Sequence, residues 1–433
     1  MKKILMALIC LALVMTAFWG CAEKDPTVPD DEDKESEDKM TWEDDGVLKI
    51  LTIGNSFSDD GMEYVWNIAN SLGIKKIKLG NLYIGGCDLD SHLWNANHNL
   101  GVYAYRTNTD GKWITVGDYN SIDAIKSENW DYISMQQVSG KSGVPDSYSP
   151  LNGLIETVQK NMSENTKLVW HMTWAYQQDS THGDFYRYDS NQLTMYNRIV
   201  STVKSEVLTK PAIKSVIPSG TAIQNARTSF IGDHLTRDGY HLTMDLGRYI
   251  AGLAFVGQLT GKPLSNVTYA PESVGMNYKK VALEAAANAI KTPFEITKSE
   301  YEVEPTFDAS AYNLLDLELV PFTYWISDSA GRFDKQQEWD RYFSSRRFTR
   351  EEIPVGSVIV IAEGWQYRPE GWKDDKVQSS RPATVALGMV EVTEAWWGDY
   401  IYRAFNISKD GASSLVGLED EAAVALKVYI PKK

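Results

Sequence analysis

The chain has 433 residues, 43% of them hydrophobic and 23% charged, at a mean hydropathy of −0.33. That composition excludes a disordered or multi-span membrane protein and leaves room for two cores. The net charge of −15, from 58 acidic against 43 basic residues, excludes broad attraction to nucleic acid phosphates, and three cysteines cannot build a disulfide framework.

Residues 1–20 read as a signal peptide rather than a membrane span: Lys2 and Lys3 give the basic start, Ile4 to Trp19 the apolar stretch, and Gly20 the small residue before Cys21. A small residue before a cysteine at this place resembles a bacterial lipobox, although Phe18 and Trp19 depart from that pattern. The resemblance implies lipidation at Cys21, and hence a membrane partner and a lipid-anchored location in the bacterial outer membrane. Cys10 would then leave with the signal, and Cys87 would remain alone.

From Ala22 to Gly46 there are twelve acids and three bases, with Pro26 and Pro29 and few apolar side chains, so residues 21–46 read as an acidic disordered tether. An acidic run after a lipidated cysteine also resembles the export signal of surface lipoproteins in some Gram-negative bacteria; a plain acidic linker is the competing reading.

After Gly46, strand and helix patterns alternate. Val47–Ile53 is a strand run, Met62, Val65, Ile68 and Leu72 have helical spacing before a Gly73 stop, and Ile77–Tyr83 is extended again. Tyr103–Thr107 and Trp113–Val116 flank a Thr109-Asp110-Gly111 turn and read as a small inserted hairpin. Tyr132–Met135, Leu168–Met172 and Ile213–Ile217 are short apolar runs, with helical stretches at Leu151–Met162 and Leu193–Val207 between them. Such buried strands spaced by helices predict a doubly wound parallel sheet. Helices at about 243–259, with Gly257 allowing close packing, and about 278–290 close the unit.

Beyond about residue 300 the pattern is all strand, at Ser357–Ala362, Thr384–Val392, Tyr400–Ile407 and Ala422–Ile430. The boundaries are therefore 1–20 signal, 21–46 tether, 47–295 α/β domain and 300–433 β-sandwich-like domain. In the last, Trp325, Trp339, Trp365, Tyr367, Trp372, Trp396, Trp397, Tyr400 and Tyr402 read as an aromatic core and seam, or as a carbohydrate-binding surface.

The first strand ends in Gly54-Asn55-Ser56-Phe57-Ser58. A serine at a sharp turn between a buried strand and a helix start lies where open α/β sheets bind ligands, beside N–H groups able to meet an oxyanion. Such a serine needs a base held by a carboxylate. Of six histidines, only His241 stands in a compact acid-to-His arrangement, Asp238-Gly239-Tyr240-His241, where a spacing of three brings both side chains to one side of a turn. Adjacent Asp233 and His234 tend to point apart. His171, ending a strand, reads as a satisfied core histidine, and His182, in a polar loop, as a substrate contact. Pro218-Ser219-Gly220-Thr221 is expected to shape the mouth of the site. No spacing fits zinc, and no phosphate loop or dinucleotide fingerprint is present, so no metal or cofactor is expected.

The Gly-Asn-Ser-Phe turn, Gly85-Gly86 after the second strand, Gln136-Gln137 after the third and the terminal Asp-x-x-His together resemble the SGNH or GDSL hydrolase superfamily over residues 47–292. The resemblance implies a flavodoxin-like three-layer α/β/α SGNH hydrolase domain, followed here by the β-sandwich-like domain. It implies a triad of Ser56, His241 and Asp238. Its oxyanion hole would use the backbone N–H groups of Ser56 and Gly85 or Gly86 with the side chain of Gln136, or in second place Gln137. Asn55 and Gln136 depart from the family's usual Asp and Asn. Trp174, Tyr176 and His182 are the expected substrate contacts, with Trp94 and Trp113 near the same rim. The sequence thus predicts a serine esterase that deacylates, most simply deacetylates, a glycan ester at the cell envelope. The alternatives are a glycan-binding lipoprotein that keeps the fold without turnover, and a lipase or thioesterase, for which the apolar lid is short.

Overall fold

The computed structural model describes residues 42–326, 335–373 and 388–432. The signal segment, Cys21 and the tether up to residue 41 lie outside the described residues, as do residues 384–387 of the expected strand at Thr384–Val392. Among the described residues no helix is long and apolar enough to cross a membrane.

In chain order the α/β region comprises β1 (Val47–Gly54), α1 (Ser56–Met62), α2 (Val65–Ser71), β2 (Lys76–Tyr83), α3 (Leu89–Asn97), β3 (Tyr103–Asn108), β4 (Ile114–Tyr119), α4 (Ser121–Lys126) and β5 (Tyr132–Met135). There follow α5 (Leu151–Asn161), β6 (Lys167–His171), α6 (Gln192–Thr202), β7 (Ile213–Ile217), α7 (Ser219–Ala226), α8 (Leu246–Thr260) and α9 (Met276–Lys291). The strands form one sheet in the order β4-β3-β2-β1-β5-β6-β7. β1, β2, β5, β6 and β7 run parallel, while β3 and β4 are antiparallel at one edge. The chain leaves β1 toward β2 on one side and returns to β5 on the other, so the carboxyl ends of these strands frame a topological switch point, where ligands of such sheets bind. Ser56 follows β1 there.

The central strands are buried on both faces, as an apolar run such as Ile50 to Ile53 requires. One helical layer is built from α1, α2, α7, α8 and α9 in mutual contact, the other from α3, α4 and α5. α8 is almost wholly buried, and Gly257 permits the close approach expected of it: a Cβ there would sit 2.5 Å from Ile290 Cδ1.

Four expectations need correction. The hairpin Tyr103–Tyr119 is no insertion, because β3 pairs with β2 and extends the main sheet. The helix expected through Met62 and Leu72 divides, and the Glu63 carbonyl at the break accepts from the Trp113 indole instead of continuing the helical ladder. The segment from Ser219 forms α7, in which Ser219, Gly220 and Thr221 are fully buried, so it shapes no mouth. In the C-terminal region Glu419–Ala425 is helix, and the strand begins only at Leu426.

That C-terminal region holds two four-stranded antiparallel sheets. Tyr402–Lys409 binds Phe343–Ser344, Phe348–Thr349 and Trp365–Trp372 in one; the other runs Met389–Glu391, Val358–Ile361, Leu426–Pro431, Tyr312–Leu315. Their inner faces meet in a core of their own, with Ile359, Tyr367, Phe405 and Val428, which is the expected sandwich arrangement. Trp365, Tyr367, Trp372, Trp396 and Trp397 are buried, so the aromatics of this region serve chiefly as core; Trp339 is exposed.

Candidate active site

At the end of β1 the backbone turns sharply into α1. Gly54 is required here, because a Cβ would meet Ser58 Oγ at 2.7 Å and Gln136 Cδ at 3.1 Å. Asn55 caps the helix: its side-chain oxygen accepts from Phe57 N, and its backbone carbonyl accepts from Ser58 N and Asp59 N. These bonds consume the N–H groups that follow Ser56. They leave the Ser56 N–H without a partner among the described residues.

The Ser56 hydroxyl lies 2.8 Å from His241 Nε2, and His241 Nδ1 lies 2.7 Å from Asp238 Oδ2. Asp238 Oδ1 accepts the backbone N–H of His241 at 2.8 Å and of Tyr240 at 3.2 Å, so one carboxylate both closes the turn and orients the ring. With Nδ1–H donating to the carboxylate, Nε2 carries the free lone pair that faces the serine. Burial works to raise the Asp238 pKa, but the bonds from the His241 ring and from the two backbone N–H groups outweigh it and hold the carboxyl below its ordinary value. Gly239, at φ +89°, lets the turn lie against Ser180, and its carbonyl accepts from Gln177 N. The spacing of three therefore does what the sequence requires, bringing Asp238, His241 and Ser56 into line. The competing pair is indeed split: Asp233 faces the buried Arg227 at 2.8 Å, while His234 is exposed.

Across the switch point, Gly85 and Gly86 form an exposed turn after β2, with Gly86 at φ +64°. Their N–H groups, like that of Ser56, have no partner among the described residues. The glutamines behave otherwise. Gln136 Nε2 donates to Asn55 Oδ1 at 2.9 Å, and Gln136 Oε1 lies 2.9 Å from His171 Nδ1. Asn55 Nδ2 in turn donates to the Cys87 carbonyl at 3.0 Å. This chain fixes its own polarity: the Cys87 carbonyl demands the Asn55 amide nitrogen, leaving Asn55 Oδ1 to take Gln136 Nε2 and Gln136 Oε1 to take the His171 N–H. His171 is fully buried, and desolvation pushes its pKa down to about 3, so the ring is neutral. Gln137 joins other loops, accepting from Leu89 N and donating to the Ser147 carbonyl. Gln137 Nε2 donates to both the carbonyl and the hydroxyl of Ser147, so both its N–H groups are engaged inside the protein and it is not the expected oxyanion donor. Gln136 commits one amide N–H to the Asn55 cap, which it props, and keeps a second N–H.

Two expected substrate contacts are also corrected. Trp174 is fully buried, stacked on Phe57 at 4.3 Å with its N–H on the Tyr240 carbonyl; Tyr176 is fully buried and bonds Ser139. Both build the floor of the site rather than a platform for sugar. His182 is half-buried, 4.7 Å from the Tyr176 and Tyr240 rings, and the Tyr240 ring lies tilted against His241 at 4.2 Å, so these rings border His241. Trp94 is exposed on α3, stacked on His98, while Trp113 is partly buried. Cys87 is buried beside His92 at 3.5 Å, and desolvation pushes its thiol up to about 12, which disfavours a thiolate nucleophile. Among the described residues no cluster of three or more His, Cys, Asp or Glu could hold a metal ion.

Sequence reasoning missed Asp60. It is fully buried on α1 one turn after Ser56, and accepts from Arg248 Nε at 2.9 Å, Arg237 Nη1 at 3.1 Å and Leu242 N at 2.8 Å. Asp59, beside it, pairs with Arg106 and takes Asn81 Nδ2 at 2.6 Å; burial, opposed by Arg106, raises its pKa to about 6.

The profile of a domain of unknown function, DUF4886, matches residues 49–289, more than half of the chain. The chain belongs to the DUF4886 family. A crystallised DUF4886 family protein from Bacteroides uniformis is 43% identical, with a TM-score of 0.57 over 58% of this chain and 98% of its own. A candidate SGNH hydrolase from Slackia heliotrinireducens is 18% identical, with a TM-score of 0.34 over 49% of this chain and 99% of its own. A catalytic mutant of Axe2, an acetylxylan esterase from Geobacillus stearothermophilus, is 12% identical, with a TM-score of 0.33 over 49% and 94%. A search of curated proteins returned no match. The DUF4886 match spans Ser56, Asp238 and His241, and the C-terminal sandwich lies beyond it.

Proposed function

We propose that this chain is a serine esterase of the SGNH type that removes acyl groups, acetyl foremost, from a glycan at the cell envelope. The single observation that carries the reading is the line Ser56 Oγ, His241 Nε2, His241 Nδ1, Asp238 Oδ2, with both contacts inside 3 Å. In the proposed reaction Ser56 Oγ attacks the ester carbonyl as its proton passes to His241 Nε2, and Asp238 stabilises the imidazolium. The oxyanion meets the N–H groups of Ser56, Gly85 and Gly86. Collapse expels the sugar alkoxide, which takes the proton from His241 and leaves acyl-Ser56. Water, deprotonated by His241, then attacks the acyl carbonyl; collapse releases the acid and expels Ser56 Oγ, which takes the proton back from His241.

The glycan rests on the surface address read from residues 1–46 and on the aromatic rim of His182 and Tyr240; lipidation at Cys21 belongs to the same proposal. One observation favours the binding-only alternative: with Gln137 committed to Ser147 and one Gln136 N–H committed to Asn55, the hole is left with no side-chain donor beyond the second Gln136 N–H. A panel of acetylated glycans and long-chain acyl esters, with released acid as readout, separates the readings. Acetate from glycans supports the proposal, preference for long chains favours a lipase or thioesterase, and binding without release favours the non-catalytic alternative.

A further inference from the structure

Asp60 occupies an unusual position for a buried charge. Its carboxylate is fully buried, and its three partners come from two other elements: Arg248 from the first turn of α8, and Arg237 and the Leu242 N–H from the loop that carries Asp238 and His241. Arg237 also donates through its side chain to the Leu242 carbonyl and through its backbone to the His241 carbonyl at 2.9 Å. Leu242 is the residue after His241, so the path from the serine to its base runs from Ser56 along one helical turn to Asp60, across a 2.8 Å bond to Leu242 N, and back one residue. A buried carboxylate stripped of partners is costly, so Asp60 favours the arrangement in which this loop is docked on α1.

We propose that Asp60 is a positioning residue, which clamps the acid–base loop to the nucleophile helix so that His241 Nε2 stays within hydrogen-bond reach of Ser56. The inference rests on the esterase reading for its kinetic consequence, but its structural content is independent of turnover. A mere structural salt bridge would alter stability and leave the chemistry of the folded enzyme alone.

The test uses the full chain carrying Asp60→Asn, and separately Arg237→Gln, which acts from the more exposed loop side should the buried substitution prevent folding. Kinetics are measured on p-nitrophenyl acetate well below each variant's melting temperature. Proton NMR follows the low-field resonance of the His241 Nδ1–H held by Asp238, assigned by its loss in His241→Ala. A small displacement of a catalytic group costs on the order of 10- to 100-fold, so kcat should fall by that factor in each folded variant with KM within about twofold of wild type. The low-field resonance should broaden or vanish. Folded variants that keep both wild-type kcat and the resonance would overturn the proposal. If the wild-type chain hydrolyses no ester, the esterase reading fails and the resonance alone decides: its loss in the variants upholds the clamp, and its persistence overturns it.

Discussion

Replacing Gln136 by methionine separates a prop from an oxyanion donor. Methionine keeps the length and volume of the side chain, so the change opens little cavity; what it removes is the amide that joins Asn55 Oδ1 to His171 Nδ1. The His171 N–H is then left unpaired in a fully buried place, at about 1 to 3 kcal/mol, and the Asn55 cap loses one net bond worth about 1 kcal/mol. Gln136→Met should therefore lower the unfolding free energy by about 2 to 4 kcal/mol, read from guanidinium titrations at neutral pH. Asn55 keeps its bonds to Phe57 N and the Cys87 carbonyl, so the Ser56 turn holds and kcat on p-nitrophenyl acetate should fall by less than about tenfold. Removing both buried partners together is nearly neutral, so adding His171→Leu should restore about 1 to 3 kcal/mol. A loss of about 10² to 10³ in kcat with unchanged stability would refute this reasoning and return Gln136 to the oxyanion hole.

His241→Ala should lower kcat on the same ester by about 10³ or more, whereas His182→Ala, which removes a rim residue, should mainly raise KM; steady-state kinetics distinguish them. Trp174→Ala should cost about 3 to 5 kcal/mol in unfolding titrations, because the ring is a buried stack on Phe57 and not a sugar platform. Burial pushes His171 down to about 3 and His92 to about 4, from about 6.5 when unfolded, so unfolding takes up protons between these values and stability is lost as pH falls below about 6.5. Asp59, raised to about 6, works in the opposite sense: its share is full below its unfolded 3.8 and is lost as pH rises through 6. Because the other groups cancel in the comparison, His171→Leu should flatten the pH dependence of stability between pH 4 and 6 by about 1.4 kcal/mol per pH unit; parallel curves for wild type and variant would contradict the neutral, buried ring.

The parts of the fold that the sequence made legible are those where local pattern and tertiary burial agree. β5 coincides with a fully buried run too short for a helix, and Asp238 and His241 meet because a three-residue spacing across a turn is a local constraint. Other features depend on partners distant in the chain. Pro218-Ser219-Gly220-Thr221 has loop chemistry, yet it begins α7 because burial against α8 and α9 overrides weak propensity. Trp174 and Tyr176 lie in a segment without regular periodicity, so nothing local distinguishes a floor from a rim. Gln136 has two amide atoms, and only Asn55 and His171 decide which way they point. Asp60 is the second of two adjacent acids, a pattern that reads as solvated charge until Arg237 and Arg248 are seen to enclose it.

The most direct test of the central claim is labelling of the full chain with a fluorophosphonate, followed by mass mapping of the modified peptide and by label rates in wild type and His241→Ala. The account predicts stoichiometric modification at Ser56, slowed by at least about 10²-fold when His241 is removed, because the hydroxyl is nucleophilic only while the imidazole takes its proton. An unlabelled Ser56, or a labelling rate indifferent to His241, would contradict it.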